Sequence, residues 1–596
     1  MSRIPGNIPI LFPLIFLSLF FIIPMVSILQ TGLQNDEGDL SLTHVGEVVN
    51  NSYYRHVIGF TIEQALYSAL TTMALGLPAA YLLTKHQFPG KSAIRALLTV
   101  PFVLPTITVA MGFILLFGKF GLVNDLLALF WTRQSILYNL PSIVLAHTFF
   151  NFAIVVRLVG TSWAGMDPKL EQAAESLGAP PHRRFLHVTL PHLLPAILGS
   201  FILTFMYCFM SFTIVLVLGG PTLTTLEVAI YTESSVIFNR EMASALAIVQ
   251  LCFTIFFLYL YTHISSKLPD ISPLSSVPNG KSTHIIRTKS TGRSVLATFT
   301  SSPLADLRSS GSTASCHSIP PLHPRNRLRA FFGKGIPSFR TLPRKIAIFL
   351  YIVIIALVII GPVFEVVRHS LIVDGEGGES YSFDRYRELW NAEGSPANVS
   401  PIDATINSLF FAFMTVMLAV PLGTIIAYVL HGRSFKGKNI LTAIFMLPLG
   451  ISAITLALGL IRGYSTGFLS MRGSWYWIVI AHTILAYPFV MRSVSSSLKG
   501  FNPTQRDAAM SLGASRMVSF FRVELPQILP GIIVGAIFAL AISVGELGAT
   551  YMLYKPEYAT LPMVIFRYIG IRDYGMGSAV SVVLMLIVFL DRKSVV

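Results

Sequence analysis

Residues 171–191 read EQAAESLGAPPHRRFLHVTLP, and residues 506–526 read RDAAMSLGASRMVSFFRVELP. The two stretches align without a gap, each half-polar and each set between long apolar runs. The phrase holds no Cys, no paired carboxylate and no phosphate-cradling glycine loop. Its repetition therefore carries the information.

Working outward, Gly513 follows Gly178 by 335 residues, and the same offset pairs His147 with His482, Arg157 with Arg492, Pro168 with Pro503 and Pro191 with Pro526. It also pairs Thr225-Leu226 with Thr560-Leu561. Upstream, the FPGK from Phe88 meets the FKGK from Phe435 at an offset of 347, so short gaps intervene. Both copies run in the same direction, which predicts two halves related by an axis along the membrane normal.

The 596 residues are 53% hydrophobic and 12% charged, against about 25% charged in a soluble domain. Six apolar runs fill the first half, near 8–30, 58–84, 96–118, 140–163, 195–219 and 242–264. Six more follow near 346–368, 404–430, 439–462, 475–492, 530–552 and 575–590. Most are long enough to cross a bilayer as helices. The expected fold class is an all-α polytopic membrane protein of two six-helix halves. The N-terminal run has one early Arg and no small-residue cleavage site, which suits an uncleaved first helix. The last run, Ser578 to Leu590, is short and ends abruptly in DRKSVV, so a truncated last helix and a foreign tail at 591–596 are expected.

The formal charge of +15 is concentrated. Between Ser265 and Lys345 there are 13 Lys and Arg against Asp270 and Asp306, a net of +11. A basic segment can signal nucleic acid, but in a polytopic chain the positive-inside rule explains it. No nucleic-acid partner is expected. Residues 265–344 are rich in Ser, Thr, Pro and Arg, with no sustained hydrophobic period, and are predicted to be a disordered cytoplasmic linker. It separates a first permease-sized domain, 1–264, from a second, 345–596. The short basic loops TKHQFPGKSAIR and HGRSFKGKN are predicted cytoplasmic. The acidic loops with Asp36, Glu37 and Asp39, and with Asp374, Glu376 and Glu379, fall on the other side. By alternation the N-terminus, the linker and both copies of the phrase are cytoplasmic. Cys208 and Cys252 fall in apolar runs and Cys316 in a polar one, giving no disulfide or metal framework.

Within the phrase, Asp167-Pro168 and Asn502-Pro503 each place a capping side chain before a proline at the first helical position. Ala173-Ala174 and Ala508-Ala509 make a small-residue face. Gly178 and Gly513 stand where a helix would end in a left-handed residue. A second short helix carries Phe185 and Val188, or Phe520 and Val523, and is expected to stop at Leu190-Pro191 and Leu525-Pro526. The product is a helix–turn–helix knuckle on the cytoplasmic side whose faces suit a groove on another protein. One copy could be an ordinary capping loop; two in register, each between the fourth and fifth runs of its half, weigh against that reading.

The pattern resembles the EAA loop of ABC-importer permeases: Glu-Ala-Ala, three residues, Gly, nine residues, Ile-x-Leu-Pro. Both copies keep its spacing and depart at its first letter, Gln172 and Asp507, and at its Ile, Val188 and Val523. The resemblance covers nearly the whole chain apart from the linker. It implies the type I importer fold with both permease halves fused. It also implies two copies of a separate cytoplasmic ATPase, one docked on each knuckle, an extracytoplasmic solute-binding protein, and a place in the cell inner membrane. No Gly-x-x-x-x-Gly-Lys-Ser/Thr loop is present. The chain is therefore expected to bind no cofactor and to have no catalytic residue, with ATP and Mg on the partner ATPase. A major-facilitator carrier also has six plus six helices, but the loop between the second and third runs lacks that fold's acidic signature, and the knuckles would have no purpose. A receptor or scaffold would not explain the duplication.

Three stretches look most like the fused permeases of the thiamine and ferric-iron importers: Leu218 to Tyr231, Ser543 to Leu553 and Thr560 to Gly570. Thr560-Leu561-Pro562 with its following aromatic tips the reading to thiamine or its phosphates, with ferric iron as the alternative. Glu546 is taken as the only carboxylate deep inside a second-half run, where an acid is costly and faces a cavity or a partner. A place on the pathway of a cationic solute and a helix-packing hydrogen bond weigh evenly. Its repeat partner is Ser211, so a site there would be asymmetric. Glu227, before VAIY, is a candidate for the extracytoplasmic gate or the binding-protein face. His147 and His482 are expected to tie helices together rather than to touch solute. Arg157 and Arg492 are expected to be snorkelling anchors.

Overall fold

The computed structural model describes residues 8–34, 39–88, 90–98, 100–119, 121–128, 136–265, 342–375, 378–390, 399–432, 437–464 and 473–592. The chain divides into one compact unit of residues 1–274 with 355–596, and a second of residues 275–354. Of the second, only the start of helix Leu342–Leu371 is described. Nearly all of the expected linker, most of the suspected tail, Cys316, Asp36, Glu37 and Glu376 lie outside the described residues.

Among the described residues, ten helices are long and apolar enough to cross a membrane, or eleven if one bent pair counts as a span. The first half supplies six of these, as its apolar runs predicted. In the second half the last helix, Tyr574–Arg592, is apolar but shorter. Large apolar side chains such as Leu70, Leu357, Phe413 and Met417 stand exposed on the outer faces of these helices. Such a surface belongs against lipid rather than water.

Three expectations are corrected. The third run of each half is broken. Helix Val100–Val103 stops before Pro105, and Thr106–Phe117 starts after it. In the second half, Leu441–Gly450 and Ala453–Gly463 meet at 105°. Proline lacks the N–H that would carry the helix through, and the Ser452 hydroxyl caps the new helix by accepting from Thr455 N at 3.0 Å. The fifth runs, 195–219 and 530–552, are also broken: the long helices end at Phe209 and Gly545, and Thr213–Leu218 and Gly548–Leu553 follow as separate short helices. Thirdly, the knuckle does not stop at its Leu-Pro pairs. Helix Pro181–Phe209 runs through Pro191 by opening a π turn over Phe185–Thr189, with Leu190 N bonded to Phe185 O. The same occurs at Phe520–Glu524, where Leu525 N bonds to Phe520 O. The wider turn makes room for a proline ring that would otherwise clash with a carbonyl four residues back. The all-α fold class holds, with one small antiparallel hairpin, Ile372–Gly375 with Gly378–Tyr381, after the first helix of the second half, where Val373 is opposite Ser380.

The first helix of each half packs on the other half. Phe16, Leu17 and Phe21 join a core made by Phe411, Leu422, Ile426 and Tyr487 of the second half. The contact is repeated by symmetry. Gly459 lies against Pro24, where a Cβ would sit 3.1 Å from the Pro24 Cβ and oxygen. Its counterpart Gly112, 347 residues earlier, lies against Pro362, where a Cβ would sit 2.9 Å from the proline Cβ and closer still to its carbonyl. Small residues let helix backbones approach where lipid offers no hydrophobic drive to association. This exchange makes one body of the two halves.

Candidate functional site

Each knuckle is built by its sequence in the same way. Asp167 accepts from Lys169 N at 2.9 Å and Asn502 from Thr504 N at 3.1 Å, capping helices Pro168–Ser176 and Pro503–Ser511. Both helices end in a full Schellman turn. Ala179 N bonds to Ala174 O and Gly178 N to Glu175 O. In the second copy Ala514 N bonds to Ala509 O and Gly513 N to Met510 O. Gly178 and Gly513 are left-handed, with φ of 80° and 91°.

No residue of either helix is buried. Gln172, Ala173, Asp507 and Ala508 are exposed, and Ala174 and Ala509 half-buried beside them. Leu177 and Leu512, at the tips, are 87% and 89% exposed. The sequence reading passed over this pair, although Ser-Leu-Gly-Ala is common to both copies and a leucine before a turn glycine has no core to enter. Val188, Leu190, Val523 and Leu525 are half-buried where the knuckle joins the fifth span, with Pro191 and Pro526 exposed on the same turn.

The knuckles are braced differently. In the first, Glu171 receives Lys85 Nζ at 2.9 Å and Thr189 Oγ1 at 2.9 Å, and Arg184 pairs with Glu175 at 2.7 Å. Burial would raise the Glu171 carboxyl, but the Lys85 and Thr189 bonds and the Lys85 and Arg184 charges outweigh it and hold its pKa below the ordinary value. The bracing is therefore complete above the usual carboxylate range and is lost as pH falls through the lowered value. In the second, the Tyr428 hydroxyl donates to Glu524 at 2.7 Å, and its ring meets Phe520 edge-on at 5.8 Å.

Buried hydrogen bonds tie the spans above each knuckle. His482 Nδ1 lies 2.8 Å from Ser543 Oγ, which bonds to Thr415 Oγ1 at 3.2 Å, and His482 Nε2 lies 2.8 Å from Thr550 Oγ1. The second, fourth and fifth spans of that half are thereby joined to the short helix beyond the break. In the first half His147 Nδ1 pairs with Ser68 Oγ at 3.1 Å, while its Nε2 is buried without a partner among the described residues. The repeat explains the difference: Val215 stands where the second half has Thr550. The expected role of both histidines as helix ties therefore holds in geometry. Thr550→Val is expected to lower stability by about 1–3 kcal/mol, by leaving His482 with the same orphaned nitrogen. Thermal unfolding in detergent, with Thr550→Ser retaining most of the stability, is the measurement.

Glu546 is not inside a continuous helix. It occupies the break after Gly545, half-buried, and its Oε1 accepts from Ala549 N at 3.1 Å, capping the next helix. Nor is it the only acid within a second-half span: Glu365 is fully buried in helix Leu342–Leu371, paired with Arg368 Nε at 3.1 Å. Ser211 occupies the matching break of the first half, between Phe209 and Thr213. Glu227 is fully buried in the short helix Leu226–Tyr231 and bonded to Gln250 Nε2, so it is no part of an exposed docking face. Its carboxyl and that of Glu546, one from each half, lie within electrostatic range of one another. Both breaks, with Ser211 and Glu546 in them, stand at the ends of the fifth spans remote from the knuckles. The 21-residue helix Leu525–Gly545 alone separates them by about 30 Å.

Duplicated membrane halves, swapped first helices and one exposed knuckle per half describe a polytopic membrane protein built on an internal repeat. The chain belongs to the family of binding-protein-dependent transport system inner membrane components, whose model matches residues 73–269 and 419–590. It is an ABC-importer permease subunit, not an enzyme. The thiamine transport system permease protein ThiP of Haemophilus influenzae is 25% identical over 539 residues, covering 90% of this chain and 87% of that protein. A Salmonella paratyphi A protein, provisionally named the 2-aminoethylphosphonate transport system permease protein PhnV, is 32% identical over 188 residues, or 32% of this chain and 71% of that one. Among solved structures, a chain of a bacterial ABC transporter involved in the import of the acidic polysaccharide alginate superposes with a TM-score of 0.38. It is 17% identical, covering 42% of this chain and 92% of that chain.

Proposed function

We propose that this chain moves thiamine or its phosphates from an extracytoplasmic binding protein into the cytoplasm, driven by two copies of a separate ATPase seated on the knuckles. The observation that carries the substrate is the extent of the likeness to ThiP, which runs through both halves. The likeness to PhnV covers 32% of this chain, which makes a phosphonate the second reading. The ATPase reading rests on the knuckle tips: Leu177 and Leu512 are costly to leave in water and suit a groove. On this reading the knuckles, the N-terminus and the 265–344 linker are cytoplasmic in a cell inner membrane, and ATP and Mg belong to the partner. Uptake of labelled thiamine, ferric iron and 2-aminoethylphosphonate by cells carrying the chain with its ATPase and binding protein tests the substrate. Thiamine uptake alone is expected; uptake of either other solute without thiamine would overturn it.

Glu546 is assigned to the pathway end of this route. In Glu546→Gln the amide oxygen can still cap Ala549 N, so the chain should accumulate normally, while uptake falls at least fivefold with the loss of charge facing a cationic ring. Uptake is compared among wild type, Gln and Leu variants at matched membrane abundance. Wild-type uptake with Gln and loss only with Leu would place Glu546 in helix packing instead.

A further inference from the structure

Beyond the carboxylates, at the end of the spans remote from the knuckles, residues of both halves line a half-open cavity of about 370 Å³. Trp477 lines it and opens the 25-residue helix Tyr476–Gly500 that leads to the second knuckle, which sets cavity and knuckle about 35 Å apart. The size suits a metabolite rather than an ion. Its walls are aromatic and cationic together: Tyr464, Trp477, Tyr551 and Tyr554 supply rings, and Arg240 of the first half and Arg462 of the second supply charge.

Three features mark it as a binding site rather than a packing gap. Arg462 is largely buried, and among the described residues its one ion pair is a long one to Glu241 at 3.5 Å and its buried Nε has no hydrogen-bond partner. A buried donor left unmade costs about 1–3 kcal/mol, which a bound acceptor would recover. Lys555 packs over Gly473, which lines the cavity, and so brings a further cation to its wall. At the rim, Phe238 is held in the left-handed region at φ 62° with its ring 70% exposed. A bulky residue in that conformation is strained and tends to be kept for a purpose.

We propose that this cavity receives the solute before translocation, and that it selects an aromatic anion: a phosphate ester of a flat ring, with the phosphate on Arg462 and Arg240 and the ring against Tyr551, Tyr554 and Trp477. Guanidinium forks match phosphate oxygens in pairs, and aromatic faces hold flat rings without demanding one hydrogen-bond pattern. This rests on the import reading above and ranks the phosphorylated forms of thiamine above the free vitamin, which is still carried.

The test is calorimetric titration of the full chain in lipid nanodiscs with thiamine pyrophosphate, thiamine and phenyl phosphate. Thiamine pyrophosphate is expected to bind at least tenfold more tightly than thiamine. Arg462→Gln should weaken it at least tenfold, Arg462→Lys should restore part of the loss, and Arg240→Gln, at an exposed position, should weaken it severalfold without risk to folding. Equal affinity for thiamine and its pyrophosphate, or undiminished binding in both Gln variants, would overturn the assignment. Phenyl phosphate separates the two levels. If it binds in an Arg462-dependent way while no thiamine compound does, the aromatic-anion site stands and the thiamine reading falls. If cells import thiamine but none of the three probes binds the nanodisc chain, the cavity assignment falls alone.

Discussion

Replacing both Gly178 and Gly513 by valine is expected to cut ATP-driven uptake at least tenfold while leaving the chain inserted and folded. Both glycines are left-handed, at φ 80° and 91°, and a Cβ at either would meet nothing within 4 Å. The penalty is therefore conformational rather than a clash: about 1–2 kcal/mol for a left-handed residue with a Cβ, and more for a β-branched one. Each Schellman turn would have to open, releasing the carbonyls of Ala174 and Ala509 and re-aiming Leu177 and Leu512. Since neither helix of the pair buries a residue, the membrane body loses nothing. Single variants should show intermediate uptake, and Gly→Asn, which tolerates the left-handed region, should retain most of it. Normal uptake in the double valine variant would remove the knuckles from energy coupling.

Gly459→Leu and Gly112→Leu are expected to act on the opposite part of the molecule, by prising the halves apart. At Gly459 even a Cβ would stand 2.9 Å from Met25 Cε and 3.1 Å from the Pro24 oxygen. Around Gly112 the nearest atom is the Pro362 carbonyl, a backbone group that cannot rotate away. Overpacking costs about 1–3 kcal/mol per site, so the double variant should lose several. The expected readout is loss of the monodisperse peak in detergent gel filtration, with Gly112→Ala and Gly459→Ala milder. An unchanged melting temperature in the double leucine variant would mean the first helices do not hold the halves together.

The repeat, the caps and the turn glycines were legible because each is a local rule written twice. Asp167-Pro168 and Asn502-Pro503 start helices wherever they stand, and Gly178 and Gly513 end them. The breaks at Pro105 and Pro448 to Ser452, and those after Phe209 and Gly545, were hidden. Hydropathy stays high across a kink when a single polar residue, such as Ser211, Ser452 or Glu546, is outweighed by the apolar residues around it. Conversely, Pro191 and Pro526 look like stops in sequence, yet the structure passes them through π turns that hydrogen bonding five residues back makes possible. Glu546 was visible as a costly acid but not as a helix cap, because its partner Ala549 N becomes available only once the span is broken. Arg462 was not singled out, since its meaning lies in Arg240 and Tyr551, which the fold brings beside it.

The central claim is that solute crosses through this chain at the expense of ATP hydrolysed elsewhere. Proteoliposomes holding the chain with its ATPase, supplied with loaded binding protein outside and ATP inside, test it in a single uptake assay. The account predicts accumulation of the solute only when ATP, ATPase and binding protein are all present, and its loss when Leu177 and Leu512 are both changed to Asp. Uptake by the chain alone, driven by a proton or sodium gradient and indifferent to ATP, would contradict it.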